Sequence, residues 1–110
     1  MVYSKNNPSL ERWGQLSLPE QMANIGSEIS RAIHWRNKDK IDFSNNAVNR
    51  AMDLIYITID TNTIRSRYKE LTRLREILMD YFFGDNEYSS SDLQWENYFN
   101  HFNYLARKKQ

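Results

Sequence analysis

The sequence predicts an all-α protein: an antiparallel up-and-down bundle of four helices, residues 17–110, behind a short N-terminal arm, residues 1–16. Three observations carry that expectation. Apolar residues recur at steps of three and four over four separate stretches, which is the spacing of one face of an α-helix. Capping residues punctuate the chain between those stretches. Only three Gly and two Pro occur in 110 residues, few for a loop-rich or all-β chain.

The segment up to Gln15 is polar apart from Val2, Tyr3, Leu10 and Trp13, and reads as a loosely attached arm with a short turn around Ser9–Trp13. Regular structure begins at Ser17-Leu-Pro-Glu20, where Ser17 and Glu20 have the spacing of a capping box and Pro19 suits a first turn. Leu18, Met22, Ile25, Ile29, Ala32 and Ile33 then form one apolar stripe, and the helix runs to about Asn37. The second helix starts near Ser44 with Ala47, Val48, Ala51, Leu54, Ile55 and Thr58 on its core face. Its end, Leu54-Ile-Tyr-Ile-Thr-Ile59, favours strand by composition, but a lone strand has no partner in this chain, so the segment is read as helix.

Asp60-Thr-Asn-Thr63 reads as a turn with a cap. The third helix follows, with Ile64, Tyr68, Leu71, Leu74, Leu78, Tyr81 and Phe82 along one side. Gly84 sits where a left-handed C-terminal cap belongs. Ser91 and Gln94 make a second capping box, and the last helix places Trp95, Tyr98, Phe99, Phe102 and Ala106 on the core. Four helices of about 17–21 residues joined by short turns favour antiparallel neighbours. Three Trp, seven Tyr and five Phe give such a core a large buried area per residue.

Composition excludes several function classes. With no Cys there are no disulfides, thiolate metal sites or cysteine nucleophiles. Fifteen basic against fourteen acidic residues leave a net charge of +1, too balanced to imply a nucleic-acid or membrane partner. The first residues lack the apolar core of a signal peptide, and no apolar run approaches the roughly 20 residues that span a bilayer. The expectation is a soluble, cytoplasmic protein.

No catalytic or metal constellation emerges. Neither His34 nor His101 has a Glu three residues before it, as a dimetal helical bundle requires; Arg31 and Tyr98 stand there. The Arg-to-His spacing of four to six residues found in helical toxin ribonucleases is missing, as are a nucleophile elbow and a Gly-rich phosphate loop. Glu76 and Asp80 share a face with Arg65, Lys69 and Arg73, the pattern of a solvated face of mixed charge. The expectation is therefore a non-enzyme without cofactor or metal.

Two features ask for an account. The helical wheel places Arg75 inside the apolar stripe, between Leu71, Leu78 and Phe82, where a guanidinium needs a carboxylate. Glu28, bordering the stripe of the first long helix, is the expected partner, and Asp53 points the wrong way. The pair reads as a register-setting ion pair or as a recessed charged pocket. The second feature is the line Asn24, Glu28, Arg31 and Trp35 beside the core stripe. With Leu93 and Tyr104, which lie opposite the core face of the last helix, these residues are the candidate interface. The plainer reading is a bundle edge covered by the arm, with Trp13 packing near Trp35.

Asn24-Ile-Gly-Ser-Glu28 with Arg31-Ala32, Arg73-Leu-Arg-Glu76 with Asp80, and Gly84 with Glu87-Tyr88-Ser-Ser90 resemble a group of small uncharacterised bacterial helical proteins. The resemblance runs from Trp13 to Arg107. It implies no activity. In architecture alone the chain is also similar to the four-helix proteins of ribosomal-RNA intervening sequences and to the accessory proteins of diversity-generating retroelements. Those assemble as rings and offer basic surfaces to nucleic acid; the net charge of +1 departs from them.

The leading expectation is a non-catalytic helical interaction module that self-associates or takes a protein partner. The alternative is a nucleic-acid-binding accessory protein that uses Arg65, Lys69 and Arg73 at i, i+4 and i+8, helped by Arg107, Lys108 and Lys109. A third reading places an anionic small molecule in a cleft around Arg75 and Glu28.

Overall fold

The computed structural model describes residues 8–108; residues 1–7, including Val2 and Tyr3 of the arm, and Lys109 of the basic tail lie outside the described residues. The described chain contains five helices and no strand: α1 (Pro8–Gln15), α2 (Leu18–Asn37), α3 (Ile41–Thr61), α4 (Arg65–Phe83) and α5 (Asp92–Lys108). No helix among them is long and apolar enough to cross a membrane.

Local chemistry sets the boundaries. Ser17 Oγ accepts from the Glu20 N–H while the Ser17 N–H donates to Glu20 Oε1, so both halves of the capping box open α2. Ser91 and Gln94 repeat the device before α5. α3 starts three residues earlier than expected, at Ile41, because Ser44 turns inward: its hydroxyl donates 2.8 Å to the Ala32 carbonyl of α2. The strand-like end of α3 is helical, as read, and closes at Thr61. Asn62 then folds over the connection, accepting from the Ile64 N–H and donating to the Ile64 carbonyl.

α2 is the hub. It lies along α3 on one flank and along α5 on the other, while α4 and α1 both pack on α3. Met22, Ile25, Ile29, Ala32 and Ile33 of α2 meet Ala47, Val48, Ala51, Met52 and Ile55 of α3, with Leu71, Leu74, Leu78, Trp95 and Phe99 closing the core. α4 and α5 meet through large side chains: the Tyr81 and Trp95 rings are 6.5 Å apart, and Tyr98 donates to Glu70.

Four expectations are corrected. From Pro8 on, the arm is docked: Trp13 is buried, its indole N–H donates 2.8 Å to Thr58 Oγ1, and Gln21 Nε2 donates to the Trp13 carbonyl. Trp13 sits at the N-terminal end of α2, whereas Trp35, near the other end, packs on Phe43 with ring centroids 5.1 Å apart; the two Trp do not meet. Ile64 and Tyr68 are exposed, because α4 begins beyond the reach of the core and only its second half, from Leu71, is covered. Gly84 is extended (φ −106°) rather than left-handed, and Asn86 (φ 55°) takes that conformation. What fixes glycine at 84 is space, since a Cβ there would lie 3.0 Å from the Asp80 carbonyl oxygen.

Candidate interaction surfaces

Glu28 is buried on the flank of α2 that faces α3, and it meets two guanidiniums there: Arg31, one turn on, and Arg50 of α3 at 2.5 Å. Both arginines keep more than half of their side-chain surface in water. A half-buried carboxylate, Asp53, shares the cleft with Asn24, Ser27, Glu28, Arg31, Arg50 and Leu54. Burial raises the Asp53 carboxyl above the usual carboxylate range, and its Oδ1 is enclosed without a hydrogen-bond partner.

Arg75 does not pair with Glu28. Its guanidinium lies over the Tyr56 ring, 5.1 Å from the centroid, on the side of α4 that faces α3. The side chain escapes the core along the helix edge, as long cations do, and a cation–π contact replaces the expected carboxylate. The cation that does join helices is Arg36. It donates 2.9 Å to the Tyr81 hydroxyl of α4 and 2.6 Å to Asp92 of α5, and it stacks over Tyr81 and Phe82. Tyr81 in turn donates to Asp92; burial first, and then that bond, raises its phenol. Sequence reasoning missed Arg36, although it follows Ile29 and Ile33 at steps of four and three in the α2 stripe. Arg50 gave no such signal, because its partner lies on another helix.

The six nominated interface residues do not form one surface. Asn24, Glu28, Arg31 and Trp35 line the α3 side of α2; Asn24 is tied to the Glu20 carbonyl and Glu28 to its two arginines. α5 lies on the opposite flank, where Ser30 donates to Glu96 and a Cβ on Gly26 would strike Phe99. Leu93 and Tyr104 are exposed on α5, eleven residues and so about 16 Å apart along the axis.

A different apolar surface emerges along α3 and α4. Asn49, Met52 and Tyr56 of α3 and Arg75, Glu76 and Met79 of α4 line one shallow groove. Phe83 lies one helical turn beyond Met79 on α4. The large side chains there remain open: Tyr56 is 38% exposed, Met79 41% and Phe83 45%. The signal was present as the steps of four, three, four and four in Tyr68, Thr72, Arg75, Met79 and Phe83. A second stripe beside the core stripe cannot be told from a wide core by one helix alone.

The charges of α4 divide by sign. Arg65, Arg67, Lys69, Arg73 and Arg75 form no ion pair with any described residue. Its three carboxylates accept from neutral donors: Glu70 from Tyr98, Glu76 from Tyr88, and Asp80 from the backbone N–H groups of Glu87 and Tyr88. Burial, with the Glu70 charge next in weight, pushes the Tyr98 phenol up. Among the described residues no group of three or more His, Asp or Glu is placed to hold a metal ion. No protein family, curated protein or solved structure matches the chain.

Proposed function

We propose that this protein is a non-catalytic helical module that self-associates through the groove between α3 and α4. The exposed apolar row in that groove carries the reading. At roughly 200 Å² per large side chain, the exposed fractions of Tyr56, Met79 and Phe83 sum to on the order of 250 Å². That approaches the largest apolar patch of a typical monomer, a patch that often marks an interaction site. The groove is also self-complementary. Arg75 and Glu76 stand side by side in it, and Asn49 carries both a donor and an acceptor. A two-fold related copy therefore meets Arg75 with Glu76 twice, as an isologous interface requires.

Tyr56 lies on Arg75, and Met52 shares the groove with Met79. Both neighbourhoods support an antiparallel arrangement of α3 and α4. Light scattering across a wide concentration range tests the proposal. The parent should associate, and Met79→Glu with Phe83→Glu should remain a monomer with an unchanged helical circular-dichroism signal. Arg75→Glu should weaken association at least tenfold, because it removes both symmetry-related ion pairs at a partly buried site. Adding Glu76→Arg should restore it. A parent that stays monomeric throughout overturns the reading.

A further inference from the structure

The first half of α4 presents cations and an aromatic ring that the fold leaves unused. Arg65, Lys69 and Arg73 follow one another at steps of four, about 6 Å apart along the axis. All three are exposed and none forms an ion pair among the described residues. Glu70 shares a cleft with Arg73 and accepts from Tyr98, yet no described carboxylate comes within ion-pair distance of the three cations. Within this basic stretch Tyr68 is 51% exposed, and its ring makes no aromatic or cation–π contact among the described residues.

A row of unpaired cations suits a chain of phosphates, and a free aromatic face beside it suits an unstacked base. A duplex offers phosphates but keeps its bases stacked, so the ring favours a single strand. We propose that the Arg65–Arg73 half of α4 binds single-stranded nucleic acid, with Arg65, Lys69 and Arg73 on the phosphates and Tyr68 stacked on a base. The site lies on the half of α4 away from Met79 and Phe83 and does not rest on self-association.

The test is fluorescence anisotropy of the full chain with labelled twenty-nucleotide single strands of mixed sequence, in ribose and deoxyribose forms, and with a duplex of the same sequence. Each phosphate contact contributes about −0.7 to the slope of log affinity against log salt for single strands. Three contacts thus predict a loss of roughly twentyfold between 50 and 200 mM salt. Replacing Arg65, Lys69 and Arg73 with Gln should flatten the slope by about two and weaken low-salt binding at least tenfold. Tyr68→Ala should weaken binding about fivefold or more and leave the slope unchanged. These side chains are exposed, so the helical signal and melting temperature serve as the folding control. Absence of salt-dependent binding, or a Gln triple variant that binds like the parent, overturns the proposal. Duplex binding as tight as single-strand binding, with no effect of Tyr68→Ala, overturns its single-strand assignment.

Discussion

A carboxylate taken out of water keeps its charge only where partners return the lost hydration. At Glu28, 7% exposed, two guanidiniums do so together. The asymmetry of the cluster sets its mutational behaviour, since the anion is enclosed while both cations reach solvent. Arg31→Ala or Arg50→Ala alone leaves one partner in place and should cost about 1 kcal/mol. The double variant strands a buried anion and should cost about 3 kcal/mol or more, beyond the sum of the singles. Adding Glu28→Gln to the double variant removes the stranded charge and should recover part of the loss. Urea unfolding of the four proteins checks this, and additive single losses would show that Glu28 is hydrated rather than enclosed.

Between elements, α2 and α5 approach closely at Gly26. A Cβ built on Gly26 falls 2.6 Å from Phe99 Cβ and 2.8 Å from its ring, so the two helices touch at a position with no room for a methyl group. Alanine is a better helix former than glycine by about 1 kcal/mol, yet the forced separation should dominate. Gly26→Ala is expected to lower stability by about 1–3 kcal/mol in thermal or urea unfolding, whereas Gly14→Ala, with open space around it, should not. Such pairings also mark the limit of what the sequence shows. The stripe of α2, both capping boxes and the helical end of α3 follow from spacing and cap chemistry within one segment, and they are where they were expected. α1 was legible only as a short turn around Ser9–Trp13, because an eight-residue segment is too short to show its docking on α3. Arg75 misled because a wheel fixes the direction of Cα–Cβ, not where a side chain with four rotatable bonds ends. The groove along α3 and α4 depends on the register of two helices, which neither sequence alone contains.

Across the whole molecule the packing is uneven, and that unevenness orders its local stabilities. α2 is flanked by α3 and α5, and its residues from Ile25 to Ile33 alternate between two packed neighbours. α4 leans on α3, reaches α5 mainly through aromatic side chains, and carries an uninterrupted exposed run from Thr63 to Glu70. Opening that end exposes little apolar surface that was not already in water, so its free-energy cost lies well below that of global unfolding. In dilute solution the backbone amides of Lys69–Arg73 should exchange with deuterium fastest among the interiors of the four long helices, and those of Ile25–Ile33 slowest. Raising the protein concentration should then protect the turns around Met79 and Phe83, where the apolar groove would be covered, and leave Lys69–Arg73 unchanged, because that half of α4 faces solvent in the associated form as well. Protection that rises at the basic end instead would place the self-association surface there. The groove between α3 and α4 would then be an incidental seam of a loosely attached helix.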